Sequence, residues 1–200
     1  RIAHDIRNPL NVISMNLELM ESKSSSEKEI NRINRMIKAT KIITYQVENV
    51  LDFVRERPIE QNKIKIGELI EGVLETITVP ETVTIQKQDT DIILKGDKNQ
   101  LEILFTNLII NSIQAMNNVG EIKINFETHL GQTIQISISD SGDGISEKNL
   151  EKIFEPLFTT KQHGTGLGLA SCKTIVNNHK GTLTVTANPT TFVVTLPNNT

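Results

Sequence analysis

The chain has 200 residues, 37% of them hydrophobic, enough to bury one moderate domain beside a smaller one and too many for a disordered chain. Its formal net charge of -3, with acidic and basic residues interleaved, argues against a nucleic-acid groove or a polybasic membrane surface. The single cysteine, Cys172, cannot close an internal disulfide, and no apolar run approaches the roughly 20 residues that span a bilayer, so a cytoplasmic chain without membrane contact is expected.

Arg1 opens the chain already in helical pattern and without a start methionine, so a piece of something longer is expected. Ile2, Ile6, Leu10, Ile13, Leu17 and Met20 form one apolar stripe. After the polar stretch 22–26, Ile30, Ile33, Ile37, Thr40, Thr44, Val47, Leu51 and Val54 recur three and four apart, with Met36, Ile43 and Val50 widening the face. The pattern predicts an antiparallel helical hairpin. Faces this wide exceed what two helices bury against each other, so a second copy completing a four-helix bundle, and hence a homodimer, is expected. The heptad stops at Arg57 and Pro58, because proline lacks an amide donor and disfavours a helical residue before it. That places a first domain at 1–57, a linker at 58–62 and a second domain at 63–200.

In the second domain, β-rich runs at 63–66, 83–86, 92–95, 121–128, 133–139, 182–186 and 191–196 alternate with helical stretches at 67–77, 98–116 and 166–177. Asp97 with Gln100 has the look of an N-cap and its partner for the middle helix. On that helix Asn111 interrupts the apolar stripe of Leu101, Leu104, Leu108 and Ala115, and Asn107 lies one turn earlier. An unpaired buried amide costs on the order of 1 to 3 kcal/mol, so Asn111 either caps local backbone or faces a polar ligand. Its side-chain carbonyl suits Mg²⁺ carrying nucleotide phosphates. Asp140, Gly142 and Gly144 follow an alternating strand; they form either an ordinary turn or a site where a carboxylate accepts from the exocyclic amine of adenine while glycine backbone approaches the base. Gly164-Thr165-Gly166-Leu167-Gly168 leads into the last helix and would expose its first amides to phosphate, without the lysine of a P-loop. Between these two segments, Phe154, Pro156 and Phe158 could anchor a lid from which Lys161 reaches phosphate; the alternative is core packing and a solvated lysine.

Taken in order, Asn-x-x-x-Asn on a helix, Asp-x-Gly-x-Gly after a strand, an aromatic lid and Gly-x-Gly-x-Gly before a helix resemble the N, G1, F and G2 boxes of the histidine kinase ATP-binding domain. The opening Ala3-His4-Asp5-Ile6-Arg7-Asn8-Pro9-Leu10 resembles that family's H box, and the lid at 154–161 looks most like the nitrogen-regulation and sporulation-type kinases. The resemblance covers essentially the whole chain. It implies a dimeric four-helix bundle followed by an α+β two-layer sandwich, with a mixed sheet and three helices. It further implies that His4 attacks the γ-phosphate of ATP while Asp5 orients its ring, and that the phosphoryl group passes to an aspartate of a response regulator receiver domain. Asn8 would position water for dephosphorylating that regulator. Asn111 would ligate Mg²⁺, with Asn107 beside it where related ATPases carry a water-activating glutamate. Asp140, Gly142 and Gly144 would hold adenine, and Lys161, Gly164, Thr165, Gly166, Leu167 and Gly168 would face the phosphates. Gln114 departs from the family, many of whose members have lysine there, and Lys161 is the candidate to supply that charge. His129, His163 and His179 are expected to be structural or exposed, and Cys172 to be core. Two other readings stand beside this one: a nucleotide-binding scaffold or phosphatase-dominant member, and an ATP-hydrolysing relative of the chaperones.

Overall fold

The computed structural model describes the backbone over residues 2–24, 26–54, 59–129, 132–161 and 164–198, and side chains over the same ranges except 2–7, 38, 41–42, 45–46 and 48–54. Contacts divide the chain into two compact units, Arg1–Arg55 and Glu56–Thr200.

The first unit is a pair of helices, α1 (Ile2–Lys23) and α2 (Glu27–Val54), packed on each other. Ser24 closes the first and links to the second: its amide donates to Met20 O at 3.0 Å and its hydroxyl to Glu29 Oε2 at 2.9 Å. Helix α1 runs through Pro9 without a break. The two stripes meet at Leu17, Ile33 and Thr40, all buried. Thr40 loses little by its polarity, since its hydroxyl donates to Met36 O one turn back at 2.9 Å. Ile13, Met20, Met36 and Ile43, members of the same stripes, stay about half exposed in the single hairpin.

The second unit is a two-layer sandwich. Its sheet contains β2 (Val83–Lys87), β4 (Gly120–His129), β5 (Thr133–Asp140), β6 (Thr182–Ala187) and β7 (Thr190–Pro197) in the order β2-β4-β5-β7-β6. β2 runs parallel to β4 and the other pairs are antiparallel, so the sheet is mixed. A separate ribbon pairs β1 (Asn62–Lys65) with β3 (Ile93–Gly96). The helical layer is α3 (Ile66–Thr76), α4 (Lys98–Ala115) and α6 (Gly168–Asn178), joined by a one-turn helix α5 (Glu147–Leu150) beyond the three expected. Strict alternation drives the layering: in β5 and β7 every second residue faces the helices and is buried, including Ile134, Ile136, Ile138, Phe192, Val194 and Leu196. Helix α4 lies at the centre, against α3, α6, β4 and β5.

Asp97 caps α4 as expected, its Oδ1 accepting from Gln100 N at 3.1 Å. The reciprocal half of a capping box is not made by Gln100, whose Oε1 is buried without a partner. His179 takes that place, accepting from Asp97 N at 2.9 Å on Nε2 while Nδ1 contacts Ile175 O at 2.8 Å, so this buried histidine ties the end of α6 to the start of α4. The stretch expected as a linker is partly fixed to the second unit, since Glu60 N donates to Asp97 Oδ2 at 3.2 Å. Among the described residues no helix is long and apolar enough to cross a membrane.

Candidate functional site

The alternation of β5 that buries Ile134, Ile136 and Ile138 carries Asp140 to the same inward face, where it is 2% exposed. Its cross-strand neighbours are Ile122 and Thr190. One carboxylate oxygen, Oδ1, accepts from Gly142 N at 3.0 Å; the other, Oδ2, is buried without a hydrogen bond. Burial raises the pKa of Asp140 above the ordinary carboxylate value, opposed by the Gly142 amide, the Ser112 and Thr190 hydroxyls and the Lys161 charge. Ser112 thus lies close enough to favour the carboxylate, yet its Oγ is itself buried and makes no hydrogen bond. Gly142 is required by space, because a Cβ there would stand 2.9 Å from Asp140 Oδ1 and 3.0 Å from Ala115 O.

Helix α4 brings the next group to this carboxylate. Asn107 is buried and Asn111 half-buried. The stripe read from the sequence needs one correction: its innermost line steps from Leu108 to Ser112, four residues on, and leaves Asn111 at the border of the core. Gly168, the first residue of α6, abuts both asparagines: a Cβ there would lie 3.2 Å from Asn107 Oδ1 and 3.9 Å from Asn111 Nδ2. Helix α6 starts at Gly168 rather than Gly166, with no side-chain cap on its first amides. Gly166 has φ +68° and lies against the backbone of Leu157, whose amide donates to Gly166 O at 3.0 Å; Gly164 lies against Thr159 Oγ1. These two glycines therefore seat the lid. Thr165 Oγ1 accepts from Leu167 N at 3.3 Å and steadies the turn.

The lid is anchored by Ile153, which is buried, and by Phe154 and Phe158, which pack against the core; Lys173 also sits 5.3 Å from the Phe154 ring centre. From it Lys161 Nζ donates to Asn111 Oδ1 at 2.7 Å and to Gln114 Oε1 at 2.6 Å. Lys161 is exposed as a residue, but desolvation of its ammonium against α4 lowers its pKa, and Asp140 pushes it back up. Two amide oxygens one turn apart thus converge on a cation, an arrangement that also fits a divalent ion.

The structure therefore gathers Asn107, Asn111, Asp140, Gly142, Lys161 and Gly168 around α4. Gly144, at φ +84°, packs against Ala187 O and shapes the turn from the other side. His4 and Asp5 lie on α1, but their side chains fall outside the described residues, as does His163. Asn8 is exposed one turn after His4. His129 contacts Gln135 Oε1 at 3.1 Å on the surface, and Cys172 is fully buried, its thiol pushed far up by desolvation, so it is a core residue. Two residues escaped the sequence reading, Ser112 and Thr190. Their signal was a hydroxyl at a position whose periodicity demands an apolar side chain.

A buried carboxylate, an uncapped helix start and a pair of amide oxygens that hold the Lys161 ammonium thus lie around α4 of the sandwich, and the helical hairpin precedes this unit in the chain. The chain belongs to the family described as histidine kinase-, DNA gyrase B-, and HSP90-like ATPases, whose model matches residues 96–200, and residues 1–58 match the His Kinase A (phospho-acceptor) domain, so it is a histidine kinase catalytic core. It is 31% identical to the signal transduction histidine-protein kinase AtoS of Escherichia coli over 99% of this chain and 34% of that protein. It is 32% identical to sporulation kinase A of Bacillus subtilis over 98% of this chain and 33% of that protein. Among solved structures, the histidine kinase ThkA in complex with the response regulator protein TrrA aligns with a TM-score of 0.67 at 27% identity, covering 100% of this chain and 60% of that one. The chain thus spans about a third of the length of these two curated relatives.

Proposed function

We infer that this chain autophosphorylates His4 from Mg-ATP and passes the phosphoryl group to an aspartate of a response regulator, with dephosphorylation of that regulator through Asn8 as a second activity. The observation that carries the reading is the convergence of Asp140, Asn111, Lys161 and the uncapped start of α6 around one helix, in a chain that also holds a phosphoacceptor hairpin. Residues 1–57 form the dimerization and phosphoacceptor domain, 58–62 the linker and 63–200 the ATP-binding domain. A cytoplasmic site of action, where ATP is supplied, belongs to the same reading.

Asp140 accepts from the adenine amine, a contact that guanine, with an acceptor there, does not offer. Gly142 and Gly144 let backbone approach the base. The first amides of α6, from Gly168, face the phosphates, and Thr165, Gly166 and Leu167 hold the turn that aims them. Asn111, with Asn107 beside it, would hold Mg²⁺, which when bound would neutralise charge on the phosphates. Lys161 then moves from the two amide oxygens to the γ-phosphate. His4 attacks that phosphorus in line through one ring nitrogen; the N–P bond forms, the bond to the ADP oxygen breaks, and Asp5 accepts the proton from the other ring nitrogen. Asparagine at 107 cannot act as the base that would activate water, which favours transfer to protein over hydrolysis.

The test is incubation of the chain with Mg²⁺ and γ-labelled ATP beside His4→Gln and Asn111→Ala. Acid-labile labelling of the parent chain, absent from both variants, is expected. Steady phosphate release without labelled protein would instead mark an ATP-hydrolysing relative, and nucleotide binding without label a scaffold or phosphatase-dominant member.

A further inference from the structure

Ser112 stands where α4 is most enclosed, 0% exposed, between Leu108 and Met116 on a line of apolar side chains. A helical hydroxyl in such a place ordinarily donates to the carbonyl one turn back. Other helical hydroxyls of this chain do so: Thr40 to Met36 O at 2.9 Å, Thr44 to Thr40 O at 3.0 Å and Thr174 to Ala170 O at 3.2 Å. Ser112 Oγ makes no hydrogen bond, and neither does Asp140 Oδ2, although the two residues are neighbours. Two polar atoms, one on a helix and one on a strand, are thus buried beyond normal hydrogen-bond distance of any partner, although the Ser112 hydroxyl stands near enough to favour the Asp140 carboxylate. Buried polar atoms left open in a folded protein call for a partner the protein itself does not supply.

We propose that Ser112 is a purine-reading residue, whose hydroxyl donates to a ring nitrogen flanking the exocyclic amine of adenine while Asp140 Oδ2 accepts from that amine. The proposal rests on the nucleotide reading given above. Adenine offers the complementary pair, a donor at the amine and an acceptor at N1 on one side and N7 on the other. Serine supplies the donor that a carboxylate lacks. A single water between Oγ and the ring nitrogen serves the same end, since the site provides it with polar partners on both sides.

The experiment measures binding of ATP, 1-deaza-ATP and 7-deaza-ATP, each with Mg²⁺, to the chain and to Ser112→Ala by titration calorimetry. The parent chain is expected to bind one of the two deaza analogues about five- to tenfold more weakly than ATP, the loss of one neutral hydrogen bond, and the analogue that suffers identifies the nitrogen. Ser112→Ala is expected to lose a similar factor for ATP and to bind that analogue and ATP equally. Its melting temperature without nucleotide is expected to stay level or rise, because a buried open hydroxyl is removed. Wild-type ATP affinity in Ser112→Ala, or discrimination against the analogue that survives the substitution, overturns the proposal. Should the variant fail to fold, equal binding of all three nucleotides by the parent chain overturns it as well. Failure of the parent chain to bind ATP at all is a different result, which sinks the nucleotide reading itself.

Discussion

Asp140 concentrates the conflict between folding and function at one residue. Its side chain is buried, one oxygen has no partner, and burial raises its pKa, so the charged form is less welcome in the folded chain than in the unfolded one. The sign follows directly. A carboxyl whose folded pKa is raised contributes most to stability below its unfolded value, and that contribution is lost as pH rises through the folded value. At neutral pH the charge therefore weighs against the nucleotide-free fold, and Asp140→Asn is expected to melt higher than the parent at pH 7, by about 2 to 4 °C for each kcal/mol relieved. The gap should close in acid below the ordinary carboxylate range, which calorimetry across that window reads directly. The same substitution removes a charged acceptor for the adenine amine and is expected to weaken ATP about ten- to a hundredfold. A variant that melts lower at pH 7 and binds ATP normally would show Asp140 to be a structural turn residue.

Among the elements, the lid at 153–161 and the glycine turn before α6 behave as a single device. The turn was readable as a phosphate loop from its spacing, but the sequence could not tell which glycine opens the helix. That depends on Leu157, nine residues before Gly166, crossing close enough to exclude any side chain there. Packing across a loop leaves no periodic trace. The β5 strand is the opposite case: the sequence reading ended the run at Ser139 and put Asp140 just after it, yet the period of two that buries Ile134, Ile136 and Ile138 continues to Asp140 and carries it to the same inward face. The hydroxyls of Ser112 and Thr190 sat equally in register and passed as ordinary small residues, because their meaning appears only when a helix and two strands come together. Gly166→Ala tests the coupling of lid and turn. Alanine at φ +68° costs about 1 to 2 kcal/mol, and its Cβ meets the Leu157 backbone, so the lid must shift. Expected are a folded protein, ATP affinity lowered about tenfold or more as Lys161 is displaced from the site, and faster amide exchange confined to the lid. Exchange unchanged at 153–161 would mean that the glycine serves only its own turn.

At the scale of the whole molecule, the hairpin is incomplete and the sandwich is not. Among the described residues, the core cluster of the α/β unit draws only on residues from Ile64 to Leu196, with none from the helices ahead of it. The hairpin buries Leu17 and Ile33 but leaves Ile13 48%, Met20 53%, Met36 45% and Ile43 48% exposed. Ile13 and Met20, like Met36 and Ile43, are seven residues apart, so each pair continues one side of its helix and presents a seam to a partner. A second copy would offer the same seam, and a symmetric four-helix arrangement would bury both. Each large apolar side chain so covered is worth about 1.5 to 3 kcal/mol when fully buried, and symmetry counts it twice. Ile43→Lys, which also places two like charges near the axis, is therefore expected to weaken dimerization about a hundredfold or more. Sedimentation equilibrium reads this as a shift toward the monomer mass, while Val119→Lys, at a still more exposed apolar residue on the sandwich, leaves the mass unchanged. Because the sandwich has its own core, ATP affinity should survive Ile43→Lys. A parent chain that sediments as a monomer at high concentration, or an Ile43→Lys variant that stays dimeric, would remove the seam as the dimer interface and leave its apolar side chains to be covered by something else.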